Sequence, residues 1–193
     1  MPMKATAFAI FTPLLLAWSV LVHAGPPSNL DSREDSILSV IRSSDIDSVK
    51  FHNYIKLCDL FTYNDAGKAI EYAQEAISLA EKIEYHEGIA RGYERMATAY
   101  FQLGDNESAE SNYLKAREAN KKAGRYEIEA SVLYNLGNIQ YELGNYDRST
   151  EYALEAGEVF LSNDDSIGYG ATRYMISGNY GATGNYDQAI ETA

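Results

Sequence analysis

Recognition chemistry in this 193-residue sequence concentrates where suitable side chains recur about one helical turn apart. Arg91 and Arg95 have the spacing to fork a carboxylate between two guanidinium groups. Asn138, with Asn135 three residues before it, carries both a donor and an acceptor and can pair bidentately with a peptide amide. Tyr134, Tyr141 and Tyr174 offer rigid amphipathic area of the kind enriched at interfaces, and Lys56 adds a further cation. Turnover chemistry has less to stand on. After residue 24 the histidines are His52 and His86, without a nucleophile–base pairing or metal-ligand spacing, so no catalytic residue and no metal site is assigned. The glycines precede Asn or Asp as helix stops do, not as a phosphate loop after a strand, and no cofactor is implied. An enzyme is therefore not expected. Glu71, Glu75, Glu110, Glu151 and Glu155 read as a solvated outer face.

These side chains are positioned by a repeat. Leu103-Gly104-Asp105, Leu143-Gly144-Asn145 and Thr183-Gly184-Asn185 fall forty residues apart, and small residues keep the same beat at Ala69, Ala109, Ser149 and Ala189. Apolar residues at steps of three and four fill the intervals, as at Ala69, Ile70, Ala73, Ala76, Ile77 and Ala80. A fixed period of this size implies paired helices that bury their apolar faces only by stacking on neighbouring pairs. The expected repeats cover about 45–85, 86–125, 126–165 and 166–193, the last stopping some seven residues into its second helix. Its inner face of Tyr174, Ile176 and Tyr180 would then lack a partner, as in a fragment of a longer protein or a chain that self-associates at that end. Gly104 suits the left-handed end of one helix, and Asp105 the cap of the next. Asp45 or Asp47 would cap the first helix of repeat one. Ahead of the repeats, Asp31 and Glu34 resemble a capping box opening a short helix to about Ser43, laid over repeat one.

Residues 1–24 read as a secretory leader, with Lys4, an apolar run from Ala5 to Val22, and Val22-His23-Ala24 as the cleavage site before Gly25. The protein is then periplasmic or secreted; an uncleaved N-terminal membrane anchor is the alternative. Residues 25–44 form a linker and the capping helix. Losing Lys4 with the leader would take the formal charge from −12 to −13. So negative a balance argues against nucleic acid and against adsorption to anionic lipid. A membrane would be met only through the leader or a helix beyond Ala193. Cys58 is the single cysteine, so no internal disulfide forms.

The pattern resembles the tetratricopeptide repeat family over about Asp45 to Ala193. Its matches are Tyr93, Met96-Ala97, Tyr100, Gly104, Ala109, Tyr113 and Ala116, then Leu133, Leu136-Gly137, Gly144, Ser149 and Ala156, then Ile176-Ser177, Tyr180, Gly184 and Ala189. Gln140 and Ala153 stand where aromatics are usual, and Arg173 where a large apolar residue is. The period is forty rather than the commoner 34. Repeat one fits with one residue fewer in its loop, placing Cys58 in the slot of Ala97, Gly137 and Ser177, where helices approach closely; a buried structural thiol follows.

The resemblance implies an all-α fold, a right-handed superhelical solenoid of antiparallel helix pairs with a short N-terminal capping helix. It also implies a concave groove lined by the first helices. Carried over by alignment, the groove positions are His52, Lys56 and Asp59, then Arg91, Glu94, Arg95 and Thr98. Repeat three adds Ser131, Tyr134, Asn135, Asn138 and Tyr141, and repeat four adds Tyr174 and Met175. Of these, Lys56, Arg91, Arg95, Tyr134, Asn135, Asn138, Tyr141 and Tyr174 are the ligand-binding candidates. The clamp of some family cochaperones is not reproduced, since Asn138 has no partner Asn at Thr98 or Gly178. The implied function is a non-catalytic scaffold binding a protein or peptide segment. Long-period repeats behind an export signal also resemble the N-terminal sensory regions of bacterial signalling proteins. A self-assembly module, or the N-terminal part of a histidine kinase or cyclase, are the alternatives.

Overall fold

The computed structural model describes residues 29–124 and 129–192; the expected leader, and the expected linker as far as residue 28, lie outside them. Among the described residues there are nine helices and no strand. They are α1 (Asn29–Ser43), α2 (Asp47–Phe61), α3 (Ala66–Lys82), α4 (His86–Gln102), α5 (Asn106–Ala123), α6 (Glu129–Glu142), α7 (Tyr146–Ser162), α8 (Ser166–Ala182) and α9 (Tyr186–Thr192). Each helix packs on the next, and the first helices also meet across repeats, α2 against α4 and α6 against α8. The fold is the expected solenoid of helix pairs. No described helix is long and apolar enough to cross a membrane.

The turns explain why the helices stop where they do. Six described residues take positive φ at intervals of twenty, namely Glu84, Gly104, Gly124, Gly144, Asp164 and Gly184, with φ between 53° and 80°. At each of the fully described ones the chain makes a Schellman pair of hydrogen bonds. Gly104 N donates to Phe101 O at 2.9 Å and Asp105 N to Tyr100 O at 3.0 Å, and the same pair closes at Gly144 and Gly184. The next helix is opened by a side chain, as when Asp105 Oδ1 accepts from Ser108 N at 3.0 Å and Asp165 Oδ1 from Gly168 N at 2.8 Å. Repeat one departs from the pattern. Cys58 is one residue nearer to the Asp65 cap than Ala97 is to Asp105, and no residue of that turn is left-handed.

Small residues set how closely the helices approach. Cys58 and Ala97 are fully buried, and a Cβ at Gly137 would stand 2.8 Å from Met175 Sδ. The departures from the repeat pattern are absorbed locally. Gln140 is buried, its Oε1 accepting from Asn145 Nδ2 at 3.0 Å, and Arg173 Nε donates to Thr192 O at 2.7 Å, tying α8 to the last carbonyls of α9.

Three local expectations are corrected. Helix α1 already runs at Asn29, so Asp31 lies inside its first turn, and Glu34 turns to Lys68 Nζ (2.9 Å) and Tyr72 OH instead of the backbone. Ile46, not an aspartate, occupies the N-cap position of α2 and makes no side-chain cap hydrogen bond; Asp47 sits in the first turn, 2.7 Å from Lys82 Nζ. At the C-terminal end Ile176 is buried in a cluster with Ala153 and Met175, packed by Tyr134 and Tyr180, while Tyr174 alone of the expected face stands free.

Candidate functional site

The expected binding residues lie on α2, α4, α6 and α8, and the structure gives them unequal surroundings. Lys56 is exposed on α2, with Nζ 3.3 Å from Asn53 Oδ1. On α4, Arg95 is half-buried and its Nε lies 2.6 Å from Asp59 Oδ1 of α2. The alignment is that of a Coulombic contact rather than a directed hydrogen bond. Arg95 Nη1 also stands 3.8 Å from Glu94 Oε1. Arg91 is exposed and makes no ion pair among the described residues. The Arg91–Arg95 fork is therefore unequal: one guanidinium already neutralises Asp59, and the other is open to an incoming anion.

Glu94 completes this charged cluster. Burial pushes its carboxyl above the usual range, the charges of Arg95 and Arg91 pull it down, and Asp59 adds to the upward shift. Below it, Thr98 Oγ1 and Tyr113 OH lie 2.9 Å apart. The sequence placed Glu94 in the groove without singling it out. Nothing in its spacing signals that the carboxylate would be desolvated, because its surroundings come from two repeats.

Helix α6 supplies a different chemistry. Asn135 and Asn138 are half-buried, and no hydrogen bond among the described residues uses either side-chain amide. Tyr141 is part-exposed and packs edge-on against Tyr146, ring centroids 5.4 Å apart. Tyr174 of α8 is 80% exposed. Tyr134 is different again: it is half-buried and packs on Ala153, Met175 and Ile176, so its ring serves the core. Met175, another aligned groove position, is buried outright. His52 is engaged locally, its Nδ1 2.7 Å from Ser48 O. Cys58 is fully buried, and burial pushes its thiol up to about 12, which leaves it protonated and unreactive at neutral pH. Among the described residues no three His, Cys, Asp or Glu side chains gather as metal ligands.

The acidic outer positions divide as well. Glu71, Glu75 and Glu151 are exposed, whereas Glu110 lies 3.6 Å from Arg148, and Glu155 joins Arg117 and Glu129 in an ion-pair network across three helices.

Comparison with known proteins adds the family. Models of the tetratricopeptide repeat match residues 62–122 and 130–158. The chain carries tetratricopeptide repeats. No curated protein matches this sequence. Among solved structures, BtubC (BKLC) from P. vanneervenii superposes with a TM-score of 0.76 at 19% identity, over 86% of this chain and 71% of that one. The apo form of RapI gives 0.76 at 18% identity, over 93% and 65%. A Rap protein complexed with competence and sporulation factor gives 0.70 at 18% identity, over 83% and 48%. The tetratricopeptide chain thus spans less than two thirds of either Rap protein, and at these identities the likeness is one of fold. The matched tetratricopeptide repeats support a protein-interaction scaffold.

Proposed function

We propose that the tetratricopeptide solenoid binds an extended protein or peptide segment along the face presented by α2, α4, α6 and α8. The observation that carries this is the pair of amides, Asn135 and Asn138, uncommitted among the described residues, with the Arg91 guanidinium of the preceding repeat likewise outside any ion pair there. A half-buried amide that makes no bond within the chain is an unspent donor and acceptor, and the backbone of an extended peptide supplies both at regular intervals. Arg91 then favours an acidic side chain or carboxylate at one end of that segment. Tyr141 and Tyr174 add apolar contact area at the other. A sensory region of a longer signalling protein needs the same capture, and the Rap protein complexed with a factor is a parallel at the level of fold.

The test begins with peptides selected on the full chain from a random twelve-residue display library. Binding of the best peptide is then measured by calorimetry. The variant Arg91→Ala/Asn135→Ala/Asn138→Ala should lose at least tenfold, about 1.4 kcal/mol or more, with helical circular dichroism unchanged. The outer-face control Glu71→Ala/Glu75→Ala/Glu151→Ala should bind as the parent does. Retained affinity in the first variant, or an equal loss in the second, places the contact elsewhere.

A further inference from the structure

Helix pairs in a solenoid are joined by repeated seams, so positions forty residues apart can be compared directly. At the seam of α3 with α4 the register holds Ile77, Ala80 and Ile89, where Ile77 and Ala80 are buried and Ile89 packs on the cluster of Ala80. At the seam of α7 with α8 it holds Gly157, Phe160 and Tyr169. There the backbones of Gly157 and Gly168 lie directly against the rings of Tyr169 and Phe160. At the seam of α5 with α6 the same three positions are Arg117, Asn120 and Glu129.

Their state is unlike that of their counterparts. Arg117 Nε donates to Glu129 Oε1 at 2.9 Å, and Glu129 is 9% exposed. Arg117 Nη2 donates to Glu155 of α7, and Lys121 Nζ lies 3.9 Å from the same Glu129 oxygen. Asn120 is 1% exposed, and among the described residues neither its Nδ2 nor its Oδ1 has a hydrogen-bond partner. The apolar cluster across this seam joins Ala109, Tyr113 and Ala116 of α5 to Val132, Leu136 and Ile139 of α6.

We propose that the seam between α5 and α6 is a hinge, dividing the solenoid into two stiffer halves of two repeats whose relative tilt sets the width of the groove. Interdigitated apolar side chains have one close-packed seat, because dispersion is lost within a fraction of an ångström. A charged seam does not share that limit. Attraction between ions falls slowly with distance, and long side chains follow a moving partner. Here the two central ions also have an alternative: Arg117 reaches Glu129 or Glu155, and Glu129 is reached from Arg117 or Lys121. The seam can shift without stranding a charge. Asn120 works in the same direction, because its unmet amide gains nothing from the closed seat. Groove residues fall on both sides, Arg91 and Arg95 before the hinge and Asn135 and Asn138 after it. The proposal stands on these seam contacts alone, whatever occupies the groove.

The experiment places spin labels at three exposed positions forty residues apart, Glu71→Cys, Ser111→Cys and Glu151→Cys, in the full chain with Cys58→Ala. Pulsed dipolar spectroscopy then compares the 71/111 pair, within one half, with the 111/151 pair, across the hinge. The 111/151 distribution should be at least twice as wide. Arg117→Ile/Asn120→Ala/Glu129→Ile, which gives this seam the residues found at 77, 80 and 89, should narrow it to the 71/111 width and raise the urea midpoint. Equal widths in the parent overturn the hinge, as does a triple variant that folds but stays wide. Should that variant fail to fold, Asn120→Ala alone must narrow the distribution; if it does not, the hinge is wrong.

Discussion

Glu84 should be the residue whose replacement by glycine most readily stabilises this protein. It takes a φ of 53° in the turn between α3 and α4, where Gly124 holds the same register with a φ of 68°. Its side chain is exposed and makes no hydrogen bond or ion pair among the described residues, so nothing is lost by deleting it. The backbone bonds of the turn, Glu84 N to Glu81 O at 3.1 Å and Tyr85 N to Ala80 O at 2.8 Å, do not involve it. Holding an L residue with a Cβ in the left-handed region costs about 1–2 kcal/mol. A new glycine gives back about 0.4–1 kcal/mol through the freer unfolded chain. Taking the middle of each range, the balance for Glu84→Gly is a gain of about 0.8 kcal/mol. With a urea dependence of about 2–3 kcal/mol/M, the midpoint followed by circular dichroism should rise by roughly 0.2–0.5 M. Glu84→Ala keeps the Cβ and should not rise, and Gly144→Ala, at a φ of 76°, should fall by a similar amount. An equal gain from Ala and Gly at residue 84, or a loss from Gly, would refute the conformational account.

Cys58 should resist a disulfide thiol reagent in the native protein and react fully, one thiol per chain, only after denaturation, because it is buried and its thiol is pushed up to about 12; fast native labelling would show the slot is open. The cap at Asp105 should carry a pH signature. Its carboxyl is held below its ordinary 3.8 by the hydrogen bonds from Ser108, so its stabilisation is present above that pH and lost as pH falls through the lowered value. The gap in urea midpoint between the parent and Asp105→Ala should be constant from neutral pH to about pH 5 and shrink in acid. Asp105→Asn, a neutral cap, should leave no such dependence, and a gap unchanged at the acid end would remove the charge from the account.

The helical period and the turn glycines at 104, 144 and 184 were legible because both are local: a side-chain pattern and a backbone conformation that glycine alone adopts freely. The turns at Glu84 and Asp164 carry no glycine, so two of the six left-handed positions of the twenty-residue rhythm showed only in the backbone angles. Residue types announced the amides and guanidinium groups of α4 and α6, but not their circumstances. That Arg95 is spoken for by Asp59, that Tyr134 packs inward and that Arg91 remains open depend on contacts between repeats, which spacing along one helix does not contain. The Asp31–Glu34 capping box failed for the same reason, since Lys68 and Tyr72 are some thirty-five residues away in sequence and adjacent in space.

What can be read along one segment is the repeating unit: the forty-residue period, which stripe is apolar, and which small residues allow close approach. How one seam differs from the next, and which polar groups are left unspent, emerged from the packing of the helices. Burial and pairing are properties of two segments meeting, and each segment's own pattern is compatible with many partners.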